Sequence, residues 1–351
     1  MASATLETFC CMSVQVEPEL LLRLPFQSIP YNIVCIISSL LGMIGAVYQV
    51  LPSAVSSLPH RHRSIGVIQK AIINWLAMAD FFAASGILLR SMFWLWRGSM
   101  ILESHVDIIL CAVFALWIRI FYTATYMWTL LYAIDVFLVC KQKSGNPILY
   151  HVITWTTSVF MSFIGLGTLY LPNFICHNGV YRVLPNYMLS YVPILCVMIV
   201  NPILYYISSK NVRVLLTGGL GQLTYLEHNL LAALKEKFFC IVLVFYVCWI
   251  PNIINGILLW GFWTNLPKNV ILGVWFVMAS LNPLQAILNS LVYKGWEGCD
   301  GLWKSLKTCM CCCCQEPPHP GLLIDVTSSD HQPSPERPTL STNNNTNNHF
   351  D

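Results

Sequence analysis

The chain has 351 residues, of which 56% are hydrophobic and only 10% charged, and its mean hydropathy is +0.63. A water-soluble domain carries about 25% charged residues, so the composition excludes a soluble globular protein and points to an integral membrane protein. The formal net charge of +3 is too small to imply a nucleic-acid partner, and its distribution along the chain is more informative than its sum.

In chain order, residues 1–29 form an amino-terminal segment without the basic flank, apolar stretch and cleavage site of a signal peptide. The first span is then expected to serve as the anchor. Seven apolar runs of about 20 residues or more follow. They are Tyr31–Leu51, Gln69–Met92, Ile108–Val139, Leu149–Leu171, Tyr187–Ser209, Phe238–Phe262 and Val270–Tyr293. The alternating pattern of a membrane barrel is absent. The expected fold is an all-α membrane protein: a seven-transmembrane helix bundle over 30–293, with a short amphipathic membrane-surface helix after the seventh span.

Prolines at 193, 202, 251 and 283 interrupt several runs. In a soluble helix each would cost roughly 3 kcal/mol. Spanning helices tolerate them, because neighbours and local adjustments satisfy the freed carbonyls.

Seven spans put the termini on opposite sides. One side carries Arg61, Arg63, Lys70, Lys141, Lys143, Lys210, Arg213, Lys235, Lys237, Lys294, Lys304 and Lys307. The other carries Arg23, Arg90, Arg97, Arg182 and Lys268. Cationic loops stay cytosolic, so the amino terminus is expected to be extracellular or lumenal and the carboxyl terminus cytosolic.

Of the fifteen cysteines, Cys10, Cys11, Cys111 and Cys176 fall on the oxidising side. A disulfide between Cys111 and Cys176 would pin the loop after span four; two buried thiols are the alternative. Cys10 and Cys11 have no evident partner.

Residues 294–314 carry Leu302, Trp303 and Leu306 on one helical face, beside Lys304 and Lys307, as suits a helix on the inner leaflet. The juxtamembrane Cys309, Cys311, Cys312, Cys313 and Cys314 fit S-palmitoylation. A metal cluster there would lack paired spacing and histidines. Residues 315–351 are rich in proline, serine and asparagine and read as a disordered cytosolic tail.

Three ionisable residues sit inside spans, where each costs at least about 2.5–3.5 kcal/mol and is a functional candidate by default. Asp80, with Thr125 and Asn282 as expected partners, could hold a sodium ion, shuttle a proton or join helices. Arg119, two turns inward from Cys111, offers a fork for a carboxylate; snorkelling, or pairing with Glu103 or Asp107, is the alternative. Asp135 lies near the cytosolic face, where capping or pairing with Lys141 competes with a role facing a partner.

Phe245-x-x-Cys248-Trp249-x-Pro251 resembles the sixth-helix motif of rhodopsin-like G-protein-coupled receptors. There the proline kinks the helix and the tryptophan moves on activation. Asp80 in "LAMAD", the pair Cys111 and Cys176, Trp155, and Asn282-Pro283 as the start of an N-P-x-x-Y also match. The resemblance makes Phe245, Trp249, Pro251, Asn282 and Pro283 the activation switch, and Trp249 a ligand contact beside Arg119. Departures are equally clear. Val136 stands where the arginine of Asp-Arg-Tyr belongs, and Asn282-Pro283-Leu284-Gln285-Ala286 lacks the tyrosine. A complete Asn201-Pro202-Ile203-Leu204-Tyr205 lies in span five. Ile118 replaces the aminergic ligand aspartate, and Phe276 replaces the retinal lysine, so retinal is excluded.

These features, with "ETFCC", "LLRSMFWL", "YAIDVFLV", "VNPILYY", "CWIPNIIN" and "LNPLQAILNSLVYKGWEGC", resemble the ocular albinism type 1 receptor family over residues 1 to about 300. The resemblance implies a receptor of melanosomes and late endosomes or lysosomes, partly at the plasma membrane. It would control melanosome biogenesis, size and transport through heterotrimeric G proteins. The implied ligand is L-DOPA or a related tyrosine-derived small molecule. Arrestin and sorting adaptors are implied as further partners, with Leu230-Leu231 and Trp296-Glu297 as sorting signals. Without an arginine at Val136, coupling is expected to be weak or highly basal, through Asp135, Lys141, Lys143, Lys235 and Lys237 with membrane lipid nearby. A seven-span transporter or a non-signalling organelle scaffold is the alternative. An enzyme is not expected, because the spans hold no paired aspartates, histidine-rich metal box or Ser-His arrangement.

Overall fold

The structure is a computed structural model that describes residues 29–51, 63–97, 105–170, 180–217, 225–261 and 268–298. Seven helices fill this range: α1 Ile29–Val50, α2 Arg63–Arg97, α3 His105–Cys140, α4 Pro147–Tyr170, α5 Val180–Thr217, α6 Tyr225–Gly261 and α7 Lys268–Gly298. Each contains a stretch long and apolar enough to cross a membrane, and there is no strand among the described residues. The protein is therefore an integral, multi-pass, seven-helix bundle. Cys10, Cys11, Cys176, the expected surface helix, the palmitoylation cysteines and the tail lie outside the described residues.

Every apolar run became a helix, but several helices outrun their apolar part. α6 starts at Tyr225, not Phe238, and α5 continues to Thr217. Hydropathy marks only the turns that meet lipid, whereas the backbone goes on satisfying its own hydrogen bonds beyond them. One expectation is corrected by this. Leu230 and Leu231 lie within α6 rather than in an open loop, and Leu231 is buried. α7 likewise runs through Trp296 and Glu297 to Gly298.

α3 is central, packing on α2, α4 and α5, while α1 packs on α2 and closes against α7. The buried side chains form two clusters. The first, at the Cys111 end, includes Tyr31, Tyr122, Trp249 and Trp275. The second, at the Asp135 end, includes Trp128, Tyr132, Val136, Tyr205 and Tyr293.

The prolines are carried inside continuous helices. A proline cannot donate to the carbonyl four residues back, and for two of them a neighbouring helix supplies the missing donor. Pro283 frees the Ala279 carbonyl, and Ser38 of α1 donates to it at 2.8 Å. Pro202 frees the Met198 carbonyl, and Tyr246 of α6 donates to it at 2.7 Å. Beside Pro251, the Asn252 side-chain amide donates to the Cys248 carbonyl at 3.2 Å.

α1 and α7 approach closely through two glycines. A Cβ on Gly42 would meet the Pro283 carbonyl group, and one on Gly45 would fall 2.7 Å from the Ile287 nitrogen. Small residues at helix interfaces serve this purpose in membranes, where apolar burial gives no advantage over lipid.

Candidate functional site

The polar residues of the core form four groups along the bundle. The group nearest Cys111 holds Arg119, which is fully buried. Its Nη1 donates to Asn186 Oδ1, and its Nη2 donates to the Asn186 carbonyl at 3.1 Å. The guanidinium lies on α4 at Gly165, where an added Cβ would stand 2.5 Å from Nη2. Glycine leaves room for the flat cation, so α3, α4 and α5 meet around one charge. Arg119 thus lies within the bundle, as the ligand reading requires, and does not snorkel to an interface.

The second group surrounds Trp249, which is also fully buried. Its ring makes edge-to-face contacts with Tyr122 and Tyr126, at centroid distances of 5.3 and 4.5 Å, and a tilted contact with Phe245 at 6.2 Å. Its indole N–H donates to Gln285 Oε1 of α7 at 2.8 Å. Two further side-chain links tie α6 to α7 on the same side. Asn252 and Asn282 exchange amide hydrogen bonds at 3.0 and 3.3 Å, and Trp275 donates to Asn255 at 2.7 Å. The Tyr122 hydroxyl is buried and has no hydrogen-bond partner among the described residues.

In the third group Thr125 donates to Asp80 Oδ1 at 2.8 Å, and Asn289 donates to Oδ2 at 3.0 Å. Thr125 is where the sequence placed it. The α7 amide on Asp80 is Asn289, not Asn282, which is engaged with Asn252. This corrects the register of α7. Asn289-Ser290-Leu291-Val292-Tyr293 takes the place of N-P-x-x-Y, with Ser290 at the proline position, and the tyrosine thought missing is Tyr293. Phe276 accordingly moves out of the retinal-lysine position and packs edge-on against Tyr31 at 5.6 Å. The lysines of α7 lie only near its ends, at Lys268 and Lys294.

The fourth group lies at the opposite end from Cys111. Tyr132 of α3 contacts Tyr293 edge-to-face at 5.2 Å, and Tyr205 of α5 stacks on Phe238 of α6 at 4.8 Å. Tyr205 belongs to the N-P-x-x-Y of span five, and it is buried within this cluster. Asp135 is corrected from a partner-facing residue to a structural one. Its side chain is 1% exposed. Tyr150 of α4 donates to its Oδ1 at 3.1 Å. Lys141 is not its partner: the ammonium sits 4.6 Å from the centroid of the Phe137 ring. Lys141, Lys143 and Lys235 are exposed and Lys237 is partly so.

Cys111 is disulfide-bonded, and the described Cys35, Cys140, Cys196, Cys240 and Cys248 are not in disulfides. Trp155 packs edge-on against Phe121 at 6.0 Å. No group of three or more His, Cys, Asp or Glu side chains suited to a metal ion occurs among the described residues.

Residues 1–310 match the family described as Ocular albinism type 1 protein. The chain belongs to this family. It is 31% identical over 354 residues to the human protein named G-protein coupled receptor 143, covering 92% of this chain and 86% of the relative. Membership makes the chain a receptor of the G-protein-coupled type. The residues unrecognised in the sequence were Asn186, Gln285, Asn289, Tyr293 and Tyr150. The signal for Asn289 and Tyr293 was present as their spacing, but Pro283 drew the motif seven residues too early (289 against 282).

Proposed function

We propose that this receptor acts in melanosomal and endolysosomal membranes, with its amino terminus lumenal and its tail cytosolic. It senses L-DOPA or a related tyrosine-derived small molecule and regulates melanosome biogenesis, size and transport through heterotrimeric G proteins. The observation that carries the receptor mechanism is Trp249. It is buried on α6 close to Pro251, held by α3 tyrosines and tied to α7 through Gln285. A ligand that contacts this indole differently in two arrangements of α6 can shift their populations.

Arg119 supports a carboxylate-bearing ligand. One turn on, at i+3 and therefore on the neighbouring surface of α3, the unpartnered Tyr122 hydroxyl abuts Trp249 and could meet a catechol or phenol. The lysine and arginine asymmetry supports the orientation. The disulfide on Cys111 supports its pairing with Cys176 in an oxidising compartment. The Asp80 carboxylate and Thr125 hydroxyl are hard oxygen donors that suit a sodium ion, with Asn289 replacing Asn282 in that set. Lys141, Lys143, Lys235 and Lys237 are the cationic contacts for a G protein or for lipid headgroups. Arrestin and sorting adaptors remain partners of the cytosolic side, with Trp296 and Glu297 as the sorting pair and Cys309 and Cys311–Cys314 palmitoylated.

The test is guanine-nucleotide exchange on membranes from cells expressing the full chain, with L-DOPA, tyrosine and dopamine titrated. A saturable response to at least one of them, lost in Trp249→Ala at matched receptor level, is expected. A flat response with no basal exchange would shift the reading to a scaffold or transporter.

A further inference from the structure

Asn186 gives the guanidinium of Arg119 two oxygens, its side-chain Oδ1 and its own carbonyl. That is the bidentate arrangement a carboxylate offers an arginine, but Asn186 contributes no charge. Its carbonyl is also shared, since Ser190 donates to it at 3.0 Å. The guanidinium cannot retreat, because α4 lies directly beneath it at Gly165. A charged carboxylate makes shorter and roughly twice stronger hydrogen bonds to arginine than a neutral oxygen does. It would therefore displace a neutral side-chain amide when one is in competition.

We infer that Asn186 is a neutral placeholder on Arg119, and that a ligand carboxylate must displace it. Asn186 thereby sets how strongly carboxylate-bearing ligands are preferred over their decarboxylated counterparts. The inference rests on the reading of Arg119 as the ligand's carboxylate contact and adds the residue that regulates that contact. The occupant class is an α-amino acid or similar small acid. Asn186 sits on the first turns of α5, beside Pro185, so displacement would also release a tie between α3 and α5.

L-DOPA and dopamine differ by the carboxylate alone, which makes them the probes. Binding of each to full-length receptor in membranes, measured together with nucleotide exchange, gives a potency ratio. Asn186→Ala should strengthen L-DOPA binding about fivefold and change dopamine by less than twofold, because one neutral hydrogen bond no longer competes. Asn186→Asp, which keeps the side-chain shape and so remains informative where the alanine variant fails to fold, should weaken L-DOPA at least tenfold by installing a fixed competing carboxylate. Dopamine should be spared. A purely structural tie would move both probes together.

If the ratio is unchanged in both Asn186 variants while Arg119→Ala abolishes the L-DOPA preference, the placeholder role is overturned and the Arg119 reading stands. If Arg119→Ala leaves the preference intact, or neither probe binds any form, both are overturned.

Discussion

Gly45→Leu is expected to leave little folded receptor. A Cβ at this position would fall 2.7 Å from both the nitrogen and the Cβ of Ile287, and a leucine adds three further carbons. The atoms in the way include α7 backbone, which cannot turn aside as a flexible side chain can. Relief requires α1 and α7 to separate. That also breaks the Ser38 hydrogen bond to the carbonyl freed by Pro283, exposing an unpaired carbonyl in a medium with no water. Overpacking of this kind costs about 3 kcal/mol or more. The half-inactivation temperature of the detergent-solubilised receptor should fall by about 10 °C, with a matching loss of monodisperse protein. Gly273→Ala, where nothing lies within 4 Å of the added carbon, should leave the temperature within about 2 °C. A stable Gly45→Leu receptor would mean that α1 does not pack on α7 in this way.

The second large effect concerns Asp80. Its carboxylate is matched by Thr125 on one oxygen and Asn289 on the other, so removing either donor leaves a buried charged group short of a partner. Hydrogen bonds to charged groups contribute about 1.5–3 kcal/mol, while measured couplings in membranes average about 0.6 with a maximum near 1.7 kcal/mol. A double-mutant cycle of Asp80→Asn with Asn289→Ala should therefore give a coupling of about 1 kcal/mol. The corresponding cycle with Asn282→Ala should give less than about 0.5 kcal/mol, as for residues without a shared hydrogen bond. Equilibrium unfolding of the purified receptor in mixed detergent supplies both cycles. The reverse order would restore Asn282 as the motif asparagine.

The contrast between Asn282 and Asn289 shows what was legible in the sequence. The seven apolar runs, and with them the fold class, follow from the thickness of the bilayer alone. The face of α7 that turns inward was legible too. Asn282 and Asn289 are seven residues apart (289 against 282), about two helical turns, and so lie almost in line. Depth was not legible. Periodicity selects a face, but it does not say which of two asparagines on that face lies level with an aspartate on α2.

Asp135 failed for a related reason. Lys141 is near it in sequence, but six residues apart on a helix is about a third of a turn away from the same face, whereas i+4 neighbours meet. That rule instead pairs Lys141 with Phe137, as observed. The partner of Asp135, Tyr150, comes from another helix and carries no local signal. Asn186 was missed in the same way: a single amide near the end of a span has no pattern until the fold brings Arg119 to it. Arg119, Asp80 and Trp249 were found because an intramembrane charge and a tryptophan two residues before a proline are conspicuous by type.

The central claim is that a bistable element on α6 is held by its tie to α7, with Trp249 bonded to Gln285. Basal nucleotide exchange by Gln285→Leu, in membranes with receptor level matched to wild type, tests it most directly. Loss of one net hydrogen bond of about 1 kcal/mol shifts a two-state ratio about fivefold, so basal exchange should rise by about that factor. If Gln285→Leu, fully folded and at equal level, leaves both basal and ligand-driven exchange unchanged, the tie is not what holds the receptor's resting state.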